Sequence, residues 1–195
     1  MQAFSATTLA PDALRDRAAL QEYEGFGRRS GARAHTEYQK DPMGWIRDKL
    51  GVPEHTLRWS LNDGYGAHEW DGTVDPLSEV LEALARWEDV GVESGTGTGK
   101  TFLGAAVVLW FLACFEDSIV VTAAPKLAQL TKHIWKEIGV LWPHFQHHFP
   151  HAELLSSGVI RMRPGIEERE SWAATAFGCG VGAAEASATK AQGWH

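Results

Sequence analysis

Cysteine is nearly missing from this chain: Cys114 and Cys179 are the only two in 195 residues. They are too few and too far apart for a disulfide framework or a zinc-ligand spacing, and such usage suits a reducing compartment. Basic charge is also in deficit. Eighteen Lys and Arg against 25 Asp and Glu leave a formal net charge of −7, so nucleic-acid binding would need a local basic surface rather than the global field. Long apolar runs are wanting too, since the longest, Phe102 to Phe115, falls short of the roughly 20 residues that cross a bilayer. The opening MQAFSATTLAPDALRDR has neither the basic start nor the apolar core of a secretory signal. The expectation is a cytoplasmic protein with no membrane contact.

What is present is a globular composition. With 44% hydrophobic residues, the chain has the material for one domain with a short appendage. Most of its nine Trp are expected in the core, where an indole removes much apolar area from water. Pro11 to Tyr23 reads as a largely solvated helix, and GFGRRSGARA, residues 25–34, as a joint made locally basic by Arg28, Arg29 and Arg33. Residues 1–40 are thus an N-terminal helical appendage, and residues 41–195 the domain proper.

Within the domain, DPMGWIRDKLGV has the proline start and glycine stop of a short capped helix. Asn62 to Thr73 is a loop by composition, and Pro76 to Trp87 is a helix with Leu77, Val80, Leu81 and Leu84 on one face. Val90 to Glu93 reads as a short strand and Lys100 to Phe115 as a helix apolar all round. SIVVTAAP, residues 118–125, reads as a buried parallel strand. Strand, loop, helix and strand make a βαβ unit. Leu127, Leu130, Ile134, Ile138 and Leu141 mark a further amphipathic helix ending around Gly139 to Pro143. GVIRMRPG and ESWAATAF suggest a hairpin about a Pro-Gly turn.

The junction of the first strand and helix carries the chemistry. VESGTGTGKTF, residues 92–102, has Ser94 where the strict phosphate-loop pattern has glycine, followed by Gly95, Thr96, Gly97, Thr98, Gly99, Lys100 and Thr101. Small residues there let backbone N–H groups converge on phosphate oxygens at a helix N-terminus. Lys100 would reach the β and γ phosphates of ATP, and the Thr101 hydroxyl would help hold Mg²⁺. The expected fold is therefore an α/β P-loop NTPase, a RecA-like parallel sheet flanked by helices. Hydrolysis also needs an acidic residue at the end of a later apolar strand. From Ser118 to His195 no four-residue apolar run ends in Asp-Glu, so the domain is expected to be incomplete.

Residues from about Asp41 to His195 resemble the N-terminal ATPase domain of the large subunit of tailed-phage terminases. The likeness rests on DPMGWIRDKLGV, VESGTGTGKTF, VVTAAPKLAQLTKHIWKEI and the closing AQGWH, in the family's order. It implies an ATP-driven motor that packages double-stranded viral DNA, working as a homo-oligomeric ring on the portal protein with a terminase small subunit, in the cytoplasm of a bacterial host. The family's nuclease domain is not in the chain. Neither is the glutamine that reads adenine, which would fall near Pro76 and Leu77, nor an arginine within Ser94 to Thr96. Two other readings remain open. One is a nucleotide-binding fragment without turnover; the other is a helicase-like ATPase, which shares the glycine loop and the Ala-Ala-Pro strand end.

Three cations are candidates for nucleic-acid contact. Lys126 follows the strand at the carboxyl edge of the expected sheet, where ligands gather in open α/β folds, and resemblance to related translocases puts DNA there. Arg161 and Arg163 alternate with apolar residues, so a strand would show both on one face, toward DNA or a neighbour's nucleotide. His144, His147, His148 and His151 have helical spacing suited to Zn²⁺, but Pro143 and Pro150 argue against a regular helix, leaving an exposed His-rich connection.

Overall fold

A computed structural model describes residues 34–58, 75–93, 97–162 and 171–179. The expected helix Pro11 to Tyr23, most of the arginine-bearing joint, the loop Asn62 to Thr73 and the closing AQGWH lie outside those residues. Among the described residues the chain forms an α/β fold with a mixed four-stranded sheet flanked by helices.

Helix α1, Pro42–Leu50, begins where the Asp41 carboxylate accepts the Gly44 N–H at 2.8 Å, with Pro42 in the first turn. It ends at Gly51, whose φ of 67° is the left-handed C-terminal geometry that glycine adopts at least cost. A single turn, α2 (Glu54–Leu57), and α3 (Pro76–Ala85) follow. At the end of α3 the Glu88 N–H donates to the Ala83 carbonyl at 3.1 Å, closing a Schellman-type turn. The left-handed residue there, usually glycine, is Trp87 with φ 63°. Edge-to-face contact with Phe111 and Phe115, centroids 6.1 and 5.2 Å away, holds it in place.

Helix α4, Lys100–Cys114, is the longest apolar element, and Ala105, Ala106, Leu109, Leu112, Ala113 and Cys114 are fully buried. Its last turn carries no capping glycine. Phe115 donates to the Phe111 carbonyl, Trp172 Nε1 to that of Leu112 at 2.6 Å, the His35 N–H to that of Ala113 at 2.8 Å, and Gln39 Nε2 to that of Cys114 at 2.8 Å. Each of the four carbonyls a helix end leaves unpaired thus has a donor. Burial also pushes the Cys114 thiol far above its ordinary range, leaving it an inert core group.

Strand β1, Ile119–Ala124, forms on the expected β-branched segment but is not buried: it is an edge strand among the described residues, with Ile119 and Val121 exposed and only Thr122 buried. The amphipathic stretch after it forms two helices, α5 (Leu127–Lys132) and α6 (Ile134–His148), broken at His133. Contrary to expectation, α6 runs through Pro143. The carbonyl deprived of its donor belongs to Gly139, which is exposed, and a Cβ added to Gly139 would meet nothing within 4 Å. At this exposed position the carbonyl that loses its helix donor is open to water. His144, His147 and His148 consequently lie on a helix, not in a connection; among the described residues no group of His, Cys, Asp or Glu could hold a metal ion.

Strands β2 (Glu153–Leu155), β3 (Val159–Arg161) and β4 (Ala173–Gly178) complete the sheet in the order β1-β4-β3-β2. β3 and β4 form the expected antiparallel pair, and β4 also pairs in parallel with β1, Ile119 opposite Ala173 through Ala124 opposite Gly178. The sheet is therefore mixed, not parallel, and β2 was not foreseen: three residues are too few for alternation to register. Val90 to Glu93, expected as a strand, has no ladder partner among the described residues. Leu77 at the start of α3 touches Gly99, and Trp87 past its end touches Phe111 and Phe115. α3 therefore runs alongside α4, and Trp87 and Gly99 lie at opposite ends of it, about 18 Å apart over the twelve residues from Gly99 to Phe111. Gly91, Val92 and Glu93 face solvent and have no sheet partner among the described residues.

The sheet is joined to α6 by buried polar contacts. Trp135 Nε1 donates to Thr122 Oγ1 at 3.0 Å, and that hydroxyl donates to the Thr175 carbonyl at 3.1 Å. Thr122→Val should leave the indole N–H without its acceptor and cost about 1–3 kcal/mol, read as a lowered urea midpoint with unchanged slope.

A second polar contact is pH-sensitive. His35 Nδ1 accepts from the Trp45 indole at 3.0 Å, so protonation there would oppose a donor. Burial, reinforced by Lys49 and His148 and opposed by Glu37, lowers the His35 pKa from 6.5 to about 4. The folded state therefore resists the proton that the unfolded state binds, and stability present above pH 6.5 is lost as pH falls toward 4. Urea unfolding between pH 7 and 5 should show this decline. His35→Asn, which keeps an acceptor but does not titrate, should flatten it.

Candidate phosphate-binding site

The glycine turn and the first residues of α4 form a concentrated donor arrangement. Gly97 and Gly99 both lie in the left-handed region, with φ of 83° and 81°, a conformation that costs glycine little and other residues much. Gly99 is the N-cap of α4 and brings no side chain to cap the helix; its carbonyl accepts the Leu103 N–H at 2.8 Å, closing the first turn. A Cβ on Gly99 would approach Leu77 Cδ1 to 3.3 Å, so α3 braces the turn from behind. Lys100 Nζ donates to Thr98 Oγ1 at 3.2 Å, which bends the lysine back over the turn it follows. Thr98 to Thr101 are half-buried, while Gly97 is exposed and a Cβ there would meet nothing within 4 Å.

The fold fixes what lies near this turn. Four residues join α4 to β1, so helix and strand run in opposite directions and the amino end of α4 shares an end of the molecule with the carboxyl end of β1. β4 is parallel to β1 and ends there too, its Cys179 N–H donating to the Ala124 carbonyl at 2.9 Å. The residues following the two parallel strands are Pro125, Lys126 and Cys179, none of them acidic. An N-terminal helix turn beside the carboxyl ends of parallel strands suits an anion by both its dipole and its backbone donors.

The predicted site residues are only partly gathered. Gly97, Thr98, Gly99, Lys100 and Thr101 are contiguous at the helix start, and Lys126, exposed, shares their end of the sheet. Arg161 does not. It pairs in register with Ala173 at the opposite end of β4, about 16 Å along the strand from Gly178, and lies directly across β2–β3 from Glu153. Ser94, Gly95, Thr96 and Arg163 lie outside the described residues. The bracing role of Leu77 was missed, although its place on the apolar face of α3 was legible; periodicity gives a face but not its partner.

No family model, curated protein or solved structure matches this chain. Among the described residues no helix is long and apolar enough to cross a membrane. The site thus stands on its own geometry.

That geometry makes Gly99 the least replaceable residue of the turn. Gly99→Ala should cost about 1–2 kcal/mol through the left-handed backbone and more through Leu77, whereas Gly91→Ala, with open space around it, should stay within about 0.5 kcal/mol of the parent. Thermal unfolding of both variants checks the contrast.

Proposed function

We propose that the chain binds ATP through residues 97–101 and represents the nucleotide-binding part of a DNA-translocating motor of the terminase large-subunit kind, with a P-loop NTPase fold. The observation that carries the reading is the pair of left-handed glycines, Gly97 and Gly99, immediately before Lys100 and Thr101 at the amino end of a long buried helix. The donor set fits a triphosphate: backbone N–H groups and the Lys100 ammonium for phosphate oxygens, the Thr101 hydroxyl for Mg²⁺. Bound Mg²⁺ would supply charge neutralisation between the β and γ phosphates. The terminase assignment, with double-stranded DNA, a portal protein, a small subunit and a ring of copies as partners in a bacterial host, rests on the sequence resemblance.

A second reading is favoured by one observation. The residues that follow the parallel strands, Lys126 and Cys179, bring no carboxylate to the phosphate end, and a carboxylate there is what phosphoryl transfer uses to hold the metal and orient water. Binding is accordingly expected to exceed turnover in this chain.

Isothermal titration of the full 195-residue chain with Mg-ATP should give saturable binding, weakened at least tenfold in Lys100→Ala, with phosphate release near the buffer rate. Equal ATP affinity in parent and Lys100→Ala would sink the nucleotide reading; rapid phosphate release would sink the second.

A further inference from the structure

The proton that His35 resists has a local consequence as well as a global one. Residues 35–39, which include the short 3₁₀ turn Thr36–Tyr38, close the end of α4 from outside. The His35 N–H donates to the Ala113 carbonyl at 2.8 Å, Gln39 Nε2 to that of Cys114 at 2.8 Å, and Trp110 Nε1 donates back to the Tyr38 carbonyl at 3.0 Å. Beneath them Cys114 is fully buried, and the Glu37 carboxylate lies near enough to raise its thiol further. The segment is a clasp over a thiol.

Imidazole chemistry fastens the clasp to two other elements. His35 Nδ1 accepts from Trp45 of α1, which has no exposed surface, and the His35 ring lies 5.0 Å from that of Phe149 and 5.5 Å, edge to face, from that of His148 at the end of α6. With Nδ1 as acceptor, the proton of the neutral ring sits on Nε2. A second proton would set the Nδ1–H against the indole N–H at a place where water cannot reach the indole, and an unpaired buried donor is costly. The charges around the ring add to that cost. Lys49 of α1 and His148 of α6, with His147 beside it, oppose a cation there, and Glu37 of the turn itself favours one. Asp48 of α1 is engaged by Arg47 and by the Tyr38 hydroxyl. On α4, Leu112, Ala113 and Cys114 bring no charge.

The rest of the fold is held without histidine. Trp135 on Thr122, the pairing of β1 with β4 and Trp172 on the Leu112 carbonyl involve none, and Phe115 and Trp172 still serve two of the four terminal carbonyls of α4 when the clasp is off. We propose that residues 35–39 are an acid-released clasp: protonation of His35 frees them from Trp45 and from the end of α4 and bares Cys114, while the sheet and α6 stay folded. Segments of this size open as local units below the free energy of global unfolding, and histidine is the side chain whose charge changes in this pH range. The clasp does not depend on the nucleotide reading.

Cys114 is the reporter. In the full chain carrying Cys179→Ser it is the single thiol, and its labelling rate with dithiodipyridine, divided by the rate of the same chain unfolded in urea at the same pH, measures the open fraction. That quotient should rise about twentyfold from pH 7 to pH 5, the factor linkage gives for a group moved from 6.5 to about 4. In the same chain with His35→Asn, which keeps an acceptor for Trp45 but does not titrate, it should be equal at the two pH values, whatever its level. A quotient that does not change in the parent, or that rises as steeply in His35→Asn, would overturn the clasp. Amide exchange, corrected for intrinsic rates, locates the opening. Faster exchange at the His35 and Tyr38 N–H groups at pH 5, with Ala173 and Ala176 unchanged, supports it; the same factor at all four sites means that the whole fold opens, and overturns it.

Discussion

The fold depends on how the last turn of α4 is closed. A helix apolar on every side must be buried, and burial leaves its terminal carbonyls with no water to bond. Here the sequence supplies no capping glycine, and the donors come from elsewhere: the His35 backbone, the Gln39 amide and the Trp172 indole, each 60 or more positions from the carbonyl it meets. Because an unpaired buried carbonyl costs about as much as a lost hydrogen bond, these contacts dictate where residues 34–39 and the start of β4 must lie.

The tryptophans extend the same logic. Trp45, Trp110, Trp135 and Trp172 are all buried, and each indole N–H has an acceptor: His35 Nδ1, the Tyr38 carbonyl, Thr122 Oγ1 and the Leu112 carbonyl. They join α1 to residue 35, α4 to residue 38, α6 to β1 and β4 to α4. Each ring contributes apolar area and spends its one donor on a contact between elements, so the core has directional links as well as volume.

Much of this was legible wherever a local rule decides local structure. Asp41, Pro42 and Gly51 bound α1 as capping chemistry requires, the β-branched run at residues 119–122 is a strand, and the all-round apolar pattern of α4 is a buried helix. Legibility ended where a distant partner overrode the local signal. Pro143 should break α6, yet the carbonyl it deprives of a donor, that of the exposed Gly139, is open to water. Trp87 occupies a glycine position, its ring held against Phe111 of α4 and Phe115 just beyond it. Val90 to Glu93 has strand-like residues, but strands need a neighbour, and it has none among the described residues. Of the site, the left-handed glycines and the lysine could be read from spacing alone, whereas the support from Leu77 depends on how α3 packs and is invisible in one dimension.

The charge arrangement follows from topology. The short link between α4 and β1, and the parallel pairing of β1 with β4, bring the amino end of α4 and the residues after both strands to one end of the molecule. That end receives the positive pole of the α4 dipole, Lys100 and Lys126, and the described residues directly after the two strands, Pro125, Lys126 and Cys179, include no carboxylate. In a chain with seven more acidic than basic residues, carboxylates are plentiful, and Asp48, Glu54 and Glu88 pair with arginines away from that end. Like charges brought to one end repel one another, and an anion held there would turn that repulsion into binding energy.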